Sequence, residues 1–269
     1  MSSSRWRTPL VMAMTLVVGV LAFTWPFFIQ PGSELNQLGH QSDASLLFVV
    51  LMGLVVMLLL AELTSGGADA KTIAVLGVLA AAGGALRVLS AGTAGLEPMF
   101  FLLVVAGRVL GAGKGFLLGV LALLASAFLT AGVGPWTPFQ MIACGWVCLG
   151  AGLLPPLRGR AERIMLTFYG LVVGFAYGAV MNLWFWPFLG TGAPAGAGFA
   201  PDAGVATNLG HYAVFYVTTS FAWDLPRGVL TALLTFAASG SLLRSLRRSV
   251  RKARFDAPVE FAPEPETVR

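Results

Sequence analysis

Long apolar stretches follow one another through this sequence almost without a break, and that succession decides what the chain can fold into. A helix that crosses a bilayer needs about 20 mainly apolar residues, since all its backbone polar groups must be bonded within the segment. Stretches of this kind fall near residues 8–29, 45–63, 71–90, 98–111, 115–131, 138–154, 163–188 and 226–245. The fourth is short, which predicts a helix that is tilted or partly buried by its neighbours. Only 11% of the 269 residues are charged, against about 25% in a typical soluble domain. Mean hydropathy is +0.82. The predicted fold class is all-α integral membrane, with about eight transmembrane helices.

The basic residues give the expected topology, because short cytoplasmic loops carry the Lys and Arg. Arg5 and Arg7 precede the first stretch and put the N-terminus inside. A signal peptide would also begin this way, but the stretch ends in Phe23-Thr24-Trp25-Pro26-Phe27-Phe28, with no small-residue cleavage site. Lys71, then Arg108 with Lys114, then Arg158, Arg160 and Arg163 mark successive inner turns. The tail carries Arg244, Arg247, Arg248, Arg251, Lys252 and Arg254. The alternate loops 30–44, 91–97, 132–137 and 190–223 contain no Lys or Arg. An even number of spans with both termini in the cytoplasm follows. Residues 255–269, proline-rich and acidic through Glu260, Glu264 and Glu266, read as a disordered tail. The net charge of +5 sits at membrane turns and forms no patch suited to nucleic acid.

Enzyme motifs are missing. Gly107–Lys114 has phosphate-loop glycines, but the spacing is one residue too long and Gly115 stands where Ser or Thr should hold Mg²⁺. There is no HExxH, no GxSxG and no acidic cluster, so no catalytic residue, cofactor or metal is expected. Cys144 and Cys148 read as small helix residues, and His40 and His211 are isolated.

The outer face carries the informative residues. Thr137-Pro138, Asp224-Leu225-Pro226 and Glu97-Pro98 each read as a cap with proline at the start of a helix, aiming three helix N-termini outward. Glu97 and Asp224 read either as simple caps or, with Arg227, as walls of a ligand cavity, since ionisable groups at membrane depth are functional by default. Arg87 reads as pairing with Asp224 or Glu97, or as snorkelling to the interface. Trp136, Phe139, Trp184, Phe185, Trp186, Tyr212, Phe215, Tyr216, Phe221 and Trp223 read as an aromatic belt or as ring walls for a ligand. The long Gly- and Ala-rich loop before the last helix reads as a lid or binding segment. Two small-residue stripes, Gly77/Ala81/Ala85 and Gly170/Gly174/Gly178, allow close approach of another helix.

Four segments together resemble the substrate-binding S component of energy-coupling factor (ECF) transporters, the vitamin-uptake branch of ABC transporters, in its actinobacterial form. They are the Gly77/Ala81/Ala85 stripe, the Gly-Ala-Gly-Lys-Gly turn at 111–115, Gly-Pro-Trp-Thr-Pro-Phe-Gln-Met at 134–141, and Thr-Ser-Phe-Ala-Trp-Asp-Leu-Pro-Arg at 219–227. The resemblance implies a six-helix core over residues 67–250, preceded by a two-helix extension at 1–66 and followed by the tail 251–269. It implies vitamin or precursor binding at the outer face between loops 91–97, 132–137 and 190–225. The ligand-contact residues expected on that basis are Arg87, Glu97, Trp136, Phe139, Gln140, Tyr216, Trp223, Asp224 and Arg227. The stripe Gly77, Ala81 and Ala85 would pack against a transmembrane T subunit driven by cytoplasmic ATPase subunits in the plasma membrane. The implied mechanism is toppling of the loaded subunit within the bilayer. A corrinoid such as cobalamin is the first substrate expected, ahead of thiamin, a thiamin precursor or riboflavin. The alternatives are a stand-alone secondary transporter or channel for a small molecule, and an assembly protein without ligand.

Overall fold

The computed structural model describes residues 7–28, 34–64, 70–89, 93–189 and 192–253; side chains of 7–8, 25–26, 34–44, 62–64, 202 and 251–253 are not described. Arg5, the start of the 64–71 loop, the side chain of His40 and the tail 255–269 lie outside that description. Nine α-helices are described, with no strand among these residues. They are α1 (Arg7–Thr24), α2 (Glu34–Thr64), α3 (Ala70–Val88), α4 (Met99–Leu110), α5 (Ala112–Leu129), α6 (Thr137–Leu153), α7 (Gly159–Asn182), α8 (Gly204–Phe215) and α9 (Phe221–Ala253).

Helices α3, α5, α7 (extended to Phe188) and the α8–α9 run are long and apolar enough to cross a membrane. Four shorter apolar helices, Pro9–Thr24, Ser45–Ala61, Met99–Leu110 and Thr137–Leu153, accompany them. The outer faces are themselves apolar: Val49, Val78, Phe128, Phe168, Val217, Leu233 and Phe236 are all exposed. A water-soluble protein rarely exposes so much apolar surface, whereas lipid is its natural solvent. The chain is an all-α protein compatible with a multi-pass membrane fold.

The short helix α4 lies at the centre. Leu103, Val104, Val105 and Ala106 are fully buried, with α3, α5, α6, α7 and α9 packed around them. Its brevity therefore reflects burial by neighbours. Glycine sets the spacing between α4, α5 and α6. A Cβ on Gly107 would strike the Cys148 carbonyl oxygen, and one on Gly119 would overlap that of Cys144. The buried free thiols of Cys144 and Cys148 thus belong to a helix face packed backbone to backbone. The hairpin α1–α2 packs on α5 and α6, and Phe23 meets Phe139 edge-on with ring centroids 5.2 Å apart.

The two small-residue stripes part company. On α7, Gly174 lies against Gly228 and Gly170 against Thr231 and Thr235, so this stripe is consumed inside the bundle by α9. On α3, Gly77, Ala81 and Ala85 are exposed, and no atom would meet a Cβ on Gly77 within 4 Å.

Several boundaries differ from those expected, among them the end of α9, which runs to Ala253 where 245 was expected. α2 begins at Glu34, inside the segment assigned to the outer loop 30–44. α7 ends at Asn182, and a short 3₁₀ turn, Trp186–Phe188, replaces its expected last residues. The largest difference is at the C-terminal span. Residues 204–223, expected in a loop, form α8, then a π-helical turn at Tyr216–Ser220, then the start of α9. Helix α9 passes through Pro226. Proline there lacks the N–H that would bond one turn back and its ring crowds the carbonyl at that position; packing against α7 holds the helix together.

Candidate functional site

A tight turn delivers the first charged residue. At Thr93–Gly95 the chain turns in 3₁₀ form with Ala94 at φ 50° and Gly95 at φ 75°. Gly95 is buried, and a Cβ on it would overlap the Trp223 carbonyl oxygen. Only glycine suits both the left-handed backbone and that close approach. The turn docks on α9 and leaves Glu97 5% exposed at the head of α4.

Glu97 then meets two arginines. Arg227 Nε donates to Glu97 Oε2 at 2.9 Å, and Arg87 Nε lies 3.8 Å from Oε1. Arg227 also donates through Nη1 to Asp224 Oδ1, one turn earlier on α9. Its guanidinium lies over the rings of Tyr177 and Phe100, 5.2 Å and 5.8 Å from their centroids. Arg87 donates to Ser126 Oγ at 3.1 Å. Two carboxylates and two guanidiniums are thereby neutralised against one another, as charges removed from water must be.

This pairing overturns the expected caps. Glu97 and Asp224 do not cap helices: α4 has no side-chain cap, and Asp224 lies inside a helix that starts well before it. The Thr137 hydroxyl accepts from Gly134 N–H at 2.8 Å, so it closes the preceding turn and leaves the α6 N-terminus uncapped. An arginine in a low-dielectric interior outcompetes a backbone N–H for a carboxylate. Of the three expected outward-facing helix N-termini, the one at Asp224 does not exist.

Beside the cluster is a cavity of about 690 Å³, within the range that holds a small organic ligand. Of the expected contact residues, Glu97, Trp136, Gln140, Trp223, Asp224 and Arg227 line it. Three do not. Arg87 stands behind Glu97. Phe139 is fully buried against Phe23 and Trp184, where it supports the wall. The Tyr216 hydroxyl, close to the Asp224 carboxylate, donates to the Phe175 carbonyl oxygen at 3.4 Å. Trp184, read from the sequence as belt or ring wall, also lines the cavity, and so do Tyr177, Asn182 and Ser220, which were not anticipated. A polar residue four positions beyond Gly178 on an apolar helix, Asn182, was the available signal; its Nδ2 donates to Ser220 Oγ at 2.6 Å.

Asp224 and Trp184 line the cavity, and each carries a buried polar atom, Oδ2 and Nε1, with no hydrogen-bond partner within bonding geometry among the described residues; the Asp224 carboxylate lies against Gly178 with the Tyr216 hydroxyl close by. One accepts and the other donates, and each unmade bond costs about 1–3 kcal/mol. A ligand whose donor and acceptor reached these atoms would recover that energy, and the surrounding rings would offer it flat faces.

The described part of the expected lid or binding segment packs beside this site. Trp186 is fully buried, and its Nε1 donates to the Ala197 carbonyl oxygen at 2.7 Å. Asn208 on α8 exchanges hydrogen bonds with both backbone groups of Ala200, and His211 Nδ1 meets the Gly198 carbonyl oxygen at 2.8 Å. Leu189, Gly192 and Pro194 of this loop reach the cavity. The π turn lies alongside and contributes Thr219 and Ser220; such turns recur at functional sites. Among the described residues no three His, Cys, Asp or Glu side chains converge to hold a metal ion. Comparison with family models, with curated proteins and with solved structures gives no match for this chain.

Proposed function

We propose that this chain is the substrate-specific membrane subunit of an ECF-type importer. It crosses the plasma membrane about eight times with both ends in the cytoplasm, and takes a vitamin or vitamin precursor into the cavity beside Asp224. The observation that carries this reading is the pair of unpartnered polar atoms, Asp224 Oδ2 and Trp184 Nε1, in a ring-lined cavity at one end of an apolar bundle. The volume favours a ligand of the size of thiamin or riboflavin. A corrinoid with its side amides exceeds about 690 Å³ and would sit partly outside. Titrating the purified protein with thiamin, riboflavin, cobinamide and cobalamin tests this. One of them binds at micromolar concentration or below, and Asp224→Ala lowers that affinity at least tenfold, a loss of about 1.4 kcal/mol. Failure of all of them to bind ends the proposal.

Energy for transport would come from a T subunit and ATPase subunits docked on the exposed Gly77/Ala81/Ala85 face of α3. Ala81→Trp projects a large ring into that interface and abolishes co-purification of those subunits from native membranes, while ligand affinity stays unchanged. Intact co-purification would make the stripe an ordinary lipid-facing surface.

A stand-alone secondary transporter is the second reading. It is favoured by Thr231, Thr235 and Ser239, whose fully buried hydroxyls lack partners among the described residues and follow one face of α9 inward from Arg227. Uptake by cells without any T or ATPase subunit would select it.

A further inference from the structure

The opposite end of the bundle holds a second charge cluster, in which positive charge exceeds negative. Glu162, near the start of α7, is 1% exposed, and both of its bonds go to arginines. Arg108 Nε donates to Glu162 Oε1 at 2.8 Å, and Arg247 Nη2 donates to the same oxygen at 2.6 Å. The other nitrogens of Arg108 are spent on the chain itself, at the carbonyl oxygens of Leu154 (2.6 Å) and Pro155 (2.7 Å). Arg108 and Glu162 therefore form a rigid floor that ties α4 to the α6–α7 turn.

Above that floor opens a cavity of about 580 Å³ lined by Arg108, Arg158, Arg247, Val109, Pro156, Leu157 and Val250. Three guanidiniums face one carboxylate, which leaves an excess of two positive charges. Arg247 is only half-buried and has nitrogens beyond the one that Glu162 takes. Arg158 is exposed at the N-cap position of α7 with an extended backbone. The valines, leucine and proline form an apolar wall beside the charges. Arg227 and Arg247 are 20 residues apart on α9, about 30 Å along the helix, which is the thickness of a hydrocarbon core. In a bilayer spanned by that length of α9, the basic cavity would fall at the depth of the lipid headgroups.

We propose that this cavity is a phosphate site, with Arg158 and Arg247 as its recognition groups, and that its occupant is the headgroup of an anionic phospholipid whose chains lie on the apolar wall. Basic pockets between helices on the inner side of a membrane recognise such headgroups. The site is independent of what the cavity at the other end takes.

Native mass spectrometry of the full-length chain in detergent, titrated with phosphatidylglycerol, phosphatidylcholine or inorganic phosphate, tests the proposal. Phosphatidylglycerol binds more tightly than phosphatidylcholine. Arg158→Gln and Arg247→Gln each weaken it about fivefold, and the double variant about twenty-fivefold. The Arg158 side chain makes no hydrogen bond or ion pair among the described residues, and Glu162 keeps Arg108 when Arg247 is changed, so both variants remain folded. Arg160→Gln, at the same end but outside the cavity, leaves the affinity unchanged. Arginine-dependent binding of inorganic phosphate without preference for phosphatidylglycerol would keep the phosphate site and make its source soluble. Equal affinity for both lipids with no phosphate binding overturns the proposal, as does an equal loss in Arg160→Gln.

Discussion

An Arg227→Met variant is expected to unfold about 3–5 kcal/mol more easily than the parent protein and to lose its ligand. The magnitude follows from what the arginine holds. Glu97 loses its 2.9 Å partner and keeps only Arg87 at 3.8 Å, while Asp224 keeps no cation at all. Two nearly unexposed carboxylates are then left facing each other in an apolar interior. Removing one member of a buried ion cluster costs more than the cluster contributes, because the remaining charge stays desolvated. The double variant Asp224→Asn/Arg227→Met should therefore recover much of the stability, since it removes one charge of each sign. Thermal unfolding in detergent, followed by circular dichroism, gives both numbers. A single variant that melts with the parent would mean that the carboxylates do not depend on Arg227.

The second large effect is expected from Gly178→Ala. A methyl group there would overlap the carboxylate of Asp224, which crosses from α9 to lie against the α7 backbone. Alanine favours a helix over glycine by about 1 kcal/mol, but an overpacked contact costs about 1–3 kcal/mol, so the net change in stability is small and unfavourable. Ligand affinity responds far more, because the displaced carboxylate leaves both Arg227 and the cavity. If the proposed function holds, a loss of tenfold or more is expected for whichever of thiamin, riboflavin, cobinamide and cobalamin binds the parent protein, measured by equilibrium titration. Gly77→Ala is the control: with nothing near its Cβ, it gains helix propensity and leaves binding intact. Equal affinity in Gly178→Ala would remove Asp224 from the ligand site.

The apolar helices were legible because lipid imposes one rule on every span, and a run of apolar residues satisfies it wherever the run falls. The short stretch at 98–111 was legible as unusual, and its burial at the centre explains why. Arg87, Glu97, Asp224 and Arg227 stood out because a charge in such a background has few ways to exist. Their arrangement was harder to read. Thr-Pro, Glu-Pro and Asp-Leu-Pro carry the spelling of helix caps, and local grammar holds no record of an arginine 130 positions away in the chain, the separation of Glu97 and Arg227. Residues 204–223 misled for a related reason. Asn208, His211, Thr218 and Thr219 suggest a loop, yet each spends its polar group on nearby backbone, which lets the helix continue. Tyr177 gave no signal, since an aromatic in an apolar span is ordinary.

The two charge clusters differ in how they bind the protein to its surroundings. At the Asp224 end, each basic side chain has a carboxylate within the bundle and makes no demand on headgroups. At the Arg247 end, positive charge exceeds negative and looks outward. Tilting the bundle would therefore cost little electrostatic work at one end and a great deal at the other. A bundle held in a bilayer by such charges would be anchored at its basic end and left electrostatically unattached at the other.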